Sequence, residues 1–278
     1  MTPPRVQIYV DESIHDSLDF IVSAFVFSKD GLGDRVAEAI REVELEPGVD
    51  EFKSGAFMRD NAVQRNLRDS LMGIAMHHTR IALAVSPATG RAELGEWCLQ
   101  ALGTIVRRNG FHDVLFDAHF DEGIVTRRTC PELAHLQTIC DISIQSSEDS
   151  KTCMGIQVAD VVAHATGQMI REAVTGRQKI VGIGGPETGY ADDEQASLGW
   201  SLKMSLRYSL LSRPFVHRGQ AFHPDTDPVL VDPGEDYVAA AQHPNVSGWG
   251  LHLHDGLSSS VRLGVENELG RIWLGCIH

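Results

Sequence analysis

Four acidic residues stand at the edges of apolar segments and are the side chains of this sequence best suited to chemistry. They are Asp11 after the apolar run at residues 6–10, Glu51 in a short segment beyond a predicted helix, Asp117 after a second apolar run, and Asp160 at the start of a helical stretch. A carboxylate just beyond a buried strand lies at the rim of a sheet, where it can bind a cation without full desolvation. Mg²⁺ and Mn²⁺ are hard cations that take oxygen ligands, so converging carboxylates predict such a site. A turn or capping role is the alternative for each acid taken alone.

The hydrophobic pattern predicts which elements position these acids. Residues 5–11 and 19–28 predict two strands joined by a turn-like segment, which is typical of a hairpin. Further strands are predicted at residues 79–85, 113–116 and 140–145, and helices over residues 31–46, 59–77, 92–108 and 154–174. This order predicts a mixed β-sheet with helices packed on its faces, an α/β architecture.

The pattern weakens after Gly176. One more helix is predicted over residues 196–211, with short strands at residues 229–231, 261–263 and 272–274. We therefore predict a core domain over residues 5–176 and an α+β C-terminal elaboration over residues 177–278 that packs on the core.

Composition limits the class of protein. The chain has 278 residues, of which 42% are hydrophobic, enough to fill a large core. Its five cysteines are odd in number and form no C-x-x-C pair, which favours a reducing compartment over a disulfide framework or a thiolate zinc site. No apolar stretch is long enough for a membrane span, and no signal-peptide core precedes Asp11. A soluble cytoplasmic protein is the expectation, and the oligomeric state is left open.

The formal net charge of −14 argues against nucleic-acid binding through a globally basic surface. A nucleic-acid substrate remains compatible with local contacts, because clustered active-site acids contribute to that charge. One basic segment, at residues 201–218, carries Lys203, Arg207, Arg213 and Arg218 with no acid among them. A solvated helix face and a phosphate-contacting surface are both compatible with this segment.

Four short motifs resemble those of a large, mostly bacterial domain-of-unknown-function family with the signature Y-[IV]-D-E-S, E-x-K, a strand-end Asp, and Q-x-A-D. Here they read Tyr9-Val10-Asp11-Glu12-Ser13, Glu51-Phe52-Lys53, Phe116-Asp117, and Gln157-Val158-Ala159-Asp160. The resemblance covers roughly residues 5–176 and implies an RNase H-like fold in which a carboxylate cluster binds divalent metal. Ile14 stands where the family commonly has glycine, so the turn there is expected to differ.

The resemblance also implies a division of roles. Asp11 would bridge two metals roughly 4 Å apart, with Asp117 from an adjacent strand end, Asp160 from the closing helix, and Glu51 as the fourth ligand. Asp121 is the alternative to Asp117 as the third ligand. Glu12 is expected to be structural, because its side chain leaves the strand opposite to that of Asp11.

Three further side chains complete the expected site. Lys53 would contact a phosphate or neutralise the acids. Gln157, Asp160 and His164 share one helix face, with i, i+3 and i+7 spacing. Gln157 would orient substrate or metal-bound water, and His164 would pass a proton to the leaving group, since the pKa of histidine in water lies near neutrality. A packing histidine is the alternative for His164.

Three functions follow from these features. The first is a metal-dependent nuclease or phosphodiester hydrolase of RNase H-like fold, acting in defence against foreign nucleic acid. The second is a noncatalytic RNase H-like module that binds a partner. The third is a zinc metallohydrolase, in which His252 and His254 share one face of a strand and are joined by Asp225 or Asp255, in a region that also carries His217, His223 and His243.

Overall fold

The structure is a computed structural model that describes residues 5–29, 31–55, 60–111, 113–126, 130–185, 189–211, 215–217, 220–222 and 250–270. The strands are β1 (Arg5–His15), β2 (Phe20–Ser28), β3 (Arg80–Ser86), β4 (Leu115–Asp121), β5 (Asp141–Glu148), β6 (Ile180–Gly182), β7 (Gln195–Ser197), β8 (Phe215–His217), β9 (Gln220–Phe222) and β10 (Leu251–Leu253). The helices are α1 (Gly33–Glu42), α2 (Ala62–His78), α3 (Leu94–Asn109), α4 (Cys130–Gln137), α5 (Ile156–Thr175), α6 (Leu198–Leu206) and α7 (Ser259–Leu269). Short 3₁₀ helices span Asp16–Leu18 and Ala88–Glu93.

Six of the strands form one mixed sheet in the order β10-β3-β2-β1-β4-β5. β2 runs antiparallel to both β1 and β3, whereas β1 and β4, β4 and β5, and β3 and β10 are parallel pairs. All nine residues of β2 are buried, as expected of a strand inside a covered sheet. The predicted mixed α/β sheet is confirmed.

Helices cover both faces of this sheet. One apolar cluster joins α1, α2, α5, α6 and α7 to one face, and a second joins α3 and α4 to the other. Side chains alternate along β1, so Ile8 and Val10 point into the α3 cluster while Tyr9 points into the α5 cluster. Asp11 shares the parity of Tyr9 and therefore lies on the α5 face of the sheet.

Three predicted elements differ from the structure. β1 continues through Asp11 to His15, because residues 11–15 pair with β2 before the chain turns at Asp16–Leu18. β4 extends to Asp121 and does not stop near residue 116. Residues 261–263, predicted as a strand, belong to helix α7, which begins where Ser258 accepts a hydrogen bond from the Val261 N–H. The strands predicted at residues 229–231 and 272–274 lie outside the described residues.

The segment beyond residue 176 contributes to the main sheet. β10 pairs with β3 at the edge of the sheet, and α6 and α7 pack against α5. The boundary between a core and an elaboration at residue 176 stays a prediction. None of the helices in the described part of the chain is long and apolar enough to cross a membrane.

Candidate functional site

Two glycines allow helix α5 to lie directly on strand β1. A Cβ at Gly155 would stand 2.3 Å from the Tyr9 ring, and one at Gly167 would stand 2.1 Å from Nε2 of His15. Gly155 and Gly167 are separated by about 18 Å of helix, and Tyr9 and His15 by about 20 Å of strand. The two elements therefore run side by side, and Asp160, five residues after Gly155, comes to lie over the middle of β1.

Asp11, Asp121 and Asp160 meet at this place. Asp11 is 9% exposed and lies on the α5 face of β1. On the neighbouring parallel strand, Val10 pairs with Phe120, so Asp121 follows directly beside Asp11. Phe116, Ala118 and Phe120 point into the α3 cluster, which places Asp121 on the opposite, α5 face. The sheet and the helix thus bring three carboxylates together from distant parts of the chain.

The pKa values of these acids reflect burial and mutual repulsion. Burial, followed by the charges of Asp160 and Asp121, raises the pKa of Asp11 well above its ordinary value. Burial and the Asp121 charge raise the pKa of Asp160 to about 6, against hydrogen bonds from Ser54. Burial also raises the pKa of Asp121. Each acid is therefore held where a negative charge is unfavourable unless a cation compensates it.

Glu12 belongs to the same electrostatic group, which the sequence did not indicate. Burial and the Asp121 charge raise its pKa to about 7, and the Arg91 charge opposes them. Its Oε2 atom is buried and has no hydrogen-bond partner within the described part of the chain. Besides burial, the charge of Glu12 raises the pKa of the Cys98 thiol in α3. This effect agrees with the expectation that the Glu12 side chain leaves β1 on the side opposite to Asp11.

The structure does not place Asp117 with these three acids. Asp117 pairs with Gln7 across β1 and β4, four residues and about 13 Å before Asp121 along the strand. Its carboxylate binds the Arg5 guanidinium and accepts a hydrogen bond from Ser143. The hydrogen bond from Arg5 lowers the pKa of Asp117. The alternative, Asp121, takes the place beside Asp11 because β4 is longer than predicted.

Glu51 and Lys53 form an ion pair at the rim of the acidic group. Lys53 Nζ lies 2.7 Å from Glu51 Oε1, and the same carboxylate accepts a hydrogen bond from Ser150. Partial burial raises the pKa of Glu51, but the hydrogen bonds from Lys53 and Ser150 outweigh it and leave the pKa lowered. Lys53 is 65% exposed and interacts with the charges of Asp160 and Asp121. It is therefore the cation that faces both the acids and the solvent.

Both ends of the Gln157 amide are occupied by partners within the protein, and its predicted role in orienting substrate or water stays untested. Gln157 is 1% exposed, accepts a hydrogen bond from Phe52 N at 2.8 Å, and donates one to the Ser150 carbonyl at 2.9 Å. Gln64 of α2 bridges the same loop, since it accepts from Lys53 N and donates to the Glu51 carbonyl. The two glutamines hold residues 51–53 in place from two helices, so Gln157 positions the loop that carries Glu51 and Lys53.

His164 lies one helical turn beyond Asp160 and among cations. Burial lowers its pKa, and the charges of Arg68 and Arg171 lower it further. Burial and the charge of His164 also lower the pKa of His15 on β1, whose ring stacks on Phe20 with centroids 4.5 Å apart. These surroundings favour the packing alternative, and proton transfer by His164 stays an untested prediction.

The C-terminal histidines have a packing role where the structure describes them. His252 and His254 share a face as expected, with ring centroids 5.6 and 5.8 Å from that of Trp97. His254 Nδ1 accepts a hydrogen bond from Gly256 N, and Asp255 lies 4.0 Å from Arg262. No third ligand joins the two histidines among the described residues. His223, His243 and Asp225 lie outside those residues, as does the side chain of His217.

Further basic side chains lie away from the acids. A cavity of about 340 Å³ at the far end of β2 is lined by Phe27, Ser28, Lys29, Arg35, His77, His78, Thr79 and Arg80. Within the basic segment, Lys203 lies 3.7 Å from Glu268, and Arg207 stacks on Tyr208. The described part of that segment therefore agrees with a paired helix face; Arg213 and Arg218 lie outside it.

Neither a protein-family model nor a curated protein matches the chain. Several solved structures are similar to it, among them the following two. One is the PCNA:RNase HII complex from Archaeoglobus fulgidus, with 12% identity, coverage of 63% of this chain and 80% of that chain, and a TM-score of 0.39. The other is ribonuclease H2 from Pyrococcus horikoshii OT3, with 11% identity, coverage of 63% and 90%, and a TM-score of 0.33. Both likenesses are remote, so the fold is taken from the strand pairing and any function from the site itself.

Proposed function

We propose that the protein is a divalent-metal-dependent phosphodiester hydrolase, a nuclease, that uses Mg²⁺ or Mn²⁺ held by Asp11, Asp121 and Asp160. The observation that carries the proposal is the convergence of these three acids, whose pKa values are all raised by burial. The charges of Asp160 and Asp121 raise the pKa of Asp11 further, and the charge of Asp121 raises that of Asp160. A structural role for three adjacent acids is disfavoured, because like charges in a buried place oppose folding.

The donor set fits a hard divalent cation. All three side chains offer carboxylate oxygens, the ligands that Mg²⁺ and Mn²⁺ prefer. Among the described residues, the oxygens of these acids are not gathered within 4.8 Å of one another, as expected of like charges that repel. When bound, such an ion supplies an activated water and neutralises charge on the phosphate.

The protein's own residues would bind and orient the substrate. Lys53 would meet a phosphate oxygen, since its ammonium lies at the rim with the Glu51 carboxylate fixing its position. The N–H of Ser54 lies 3.4 Å from Asp160 Oδ2 and holds that carboxylate in place. Because the net charge is −14, phosphate contacts must be local, and the basic cavity beside β2 offers a second such place.

The test compares Asp121 and Asp117, which lie on the same strand, and includes Asp11 from the neighbouring strand. Mn²⁺ should stabilise the folded protein by about 2.7 kcal/mol at a hundredfold excess over the dissociation constant. Asp11→Asn and Asp121→Asn should lose most of this gain, whereas Asp117→Asn should keep it. The same variants are assayed for cleavage of labelled single- and double-stranded DNA and RNA, with loss of activity expected in the first two only.

Three outcomes would contradict the proposal. Stabilisation by Mn²⁺ that survives Asp11→Asn would place the ion elsewhere. Absence of any Mn²⁺ response would favour the noncatalytic partner-binding module. Stabilisation by Zn²⁺ alone, lost in His252→Ala, would favour the metallohydrolase with C-terminal histidine ligands.

A further inference from the structure

A second group of metal-ligating side chains lies beside the acids and differs from them in chemistry. His119, Glu148 and Cys153 each present one ligand atom, and these atoms lie within 4.8 Å of one another. The three residues come from β4, from the end of β5, and from the turn before α5. Glu148 and Cys153 are close in sequence, and the pairing of β4 with β5 brings His119 to them.

The surroundings hold each member of this group in place. The His119 ring stacks on Tyr9, with centroids 5.3 Å apart and planes at 18°. A register shift between β4 and β5 sets Glu148 opposite Asp121. Cys153 N donates a hydrogen bond to the Asp149 carbonyl at 2.8 Å, which closes the turn that carries its thiol.

Two unused groups point to a ligand. The Nδ1 atom of His119 is buried and has no hydrogen-bond partner within the described part of the chain. Leaving such an atom unpaired costs about 1–3 kcal/mol, so a bound cation that accepts its lone pair would stabilise the fold. Cys153 is a free cysteine in the described structure, and burial raises the pKa of its thiol to about 12, so the thiol would release its proton to solvent when its sulfur binds the ion.

We propose that His119, Glu148 and Cys153 form a binding site for a borderline transition-metal cation, Zn²⁺ in the first instance. The mixed nitrogen, oxygen and sulfur donor set suits Zn²⁺ and is unsuited to Mg²⁺, which takes oxygen ligands only. Three protein ligands leave a fourth position of the zinc coordination shell for water. The site adjoins the proposed Mg²⁺ or Mn²⁺ site and shares no ligand with it.

The position of this site suggests a bracing role. Residues 149–153 include Ser150, which bonds both the Glu51 carboxylate and the Gln157 amide. A cation that joins Cys153 to β4 and β5 would fix this turn against the sheet. Because Ser150 of this turn bonds Glu51, a bound zinc ion would also help to hold Glu51 and its partner Lys53 in position.

The test is a titration of the reduced full-length protein with Zn²⁺ and with Co²⁺, whose thiolate complexes show a charge-transfer absorption band. We expect one Zn²⁺ bound per chain and a Co²⁺–thiolate band. Cys153→Ser and His119→Gln should remove the band and weaken binding at least roughly tenfold. Cys140→Ser, which alters a buried cysteine elsewhere, and Asp11→Asn should retain both.

Circular dichroism melts of the metal-free variants show whether each still folds. Should Cys153→Ser unfold, Glu148→Gln provides the second variant, with the same loss of affinity expected. The proposal is overturned if wild-type protein shows no thiolate band, if Cys153→Ser and Glu148→Gln bind Zn²⁺ as tightly as wild type, or if binding is lost in Asp11→Asn while it survives in Cys153→Ser.

Discussion

At the scale of single residues, Asp117 and Asp121 show how the surroundings decide what a carboxylate can do. Both lie on β4 with side chains on the same face. Asp117 meets Arg5 and Ser143, and these hydrogen bonds lower its pKa. Asp121 meets further acids, and burial raises its pKa. The first carboxylate is already neutralised by an ion pair, whereas the second is available to an added cation.

The raised pKa of Asp160 predicts how stability depends on pH. The carboxyl titrates at about 6 in the folded protein and near 3.8 when unfolded, so the folded state binds more protons between these values. The contribution of Asp160 to stability therefore falls as the pH rises from about 4 to 6. Without metal, Asp160→Asn should be more stable than wild type at pH 7.5 by roughly 1–3 kcal/mol, and the difference should vanish near pH 4.

Denaturant unfolding at several pH values in EDTA measures this difference. Asp117→Asn is the control of opposite sign. The pKa of Asp117 is lower in the folded protein than in the unfolded chain, so its ionised carboxylate stabilises the fold at pH values above the unfolded pKa. The variant should therefore lose stability at pH 7.5. A stability difference for Asp160→Asn that does not change with pH would show that the substitution acts through packing.

Gln157 allows a prediction about positioning. Gln157→Leu should destabilise the protein by about 2–5 kcal/mol, because the Phe52 N–H and the Ser150 carbonyl would both lose a buried partner. Gln64→Leu is the matched control, since Gln64 bridges the same loop from a half-buried position where water can replace it. Equal losses in the two variants, measured by urea unfolding, would contradict the assigned role of Gln157.

At the scale of elements, the seating of α5 on β1 positions the site. The Tyr9 ring lies against Gly155 and is fixed by its hydrogen bond to Gln7 and its stacking on His119. Gly155→Ala should therefore cost about 1–3 kcal/mol, because α5 must move away from the ring. The shift should also weaken Mn²⁺ stabilisation, since Asp160 would move with the helix.

Gly73→Ala on α2 is the control, because a Cβ there meets nothing within 4 Å. That substitution should raise stability by up to about 1 kcal/mol, as alanine favours a helix over glycine. Thermal melts with and without Mn²⁺ measure both effects. A Gly155→Ala variant as stable as wild type would mean that α5 does not depend on this close approach.

At the level of the whole fold, the described elements beyond residue 176 pack against α5 and extend the main sheet. Helix α7 packs on α5 at Gly264, where a Cβ would stand 2.8 Å from Val174. β10 covers the edge of β3, which would otherwise expose unpaired backbone groups. The helix that carries Asp160 is thus covered by elements from the C-terminal part of the chain.

Two leucines of α7 test this dependence with the same substitution. Leu269→Ala should destabilise the protein by about 2–5 kcal/mol, because Leu269 is 2% exposed within the core. Leu263→Ala should change stability by no more than about 0.5 kcal/mol, because Leu263 is 58% exposed. A single unfolding transition that shifts only in Leu269→Ala would show that α7 and the core unfold together. No shift in either variant would make α7 peripheral.

Local sequence patterns predicted most of the main sheet and its helices, and they drew attention to Asp11 and Asp160. Apolar runs with period 2 and stretches with period 3.6 predicted the sheet and its helices, because these patterns report local backbone geometry. Asp11 and Asp160 were found because they stand beside such patterns. Asp121 was within reach of the same reasoning, since the alternation of Phe116, Ala118 and Phe120 continues to it.

Which side chains meet depends on how the elements pack. Gln157 shares a helix face with Asp160. Its amide oxygen, however, accepts a hydrogen bond from the N–H of Phe52, 105 residues away in the sequence. His119, Glu148 and Cys153 lie on three elements whose register is set by a shift between β4 and β5. A periodic pattern shows which face of an element a side chain occupies. The neighbours on that face depend on strand register and on helix placement, which long-range packing determines.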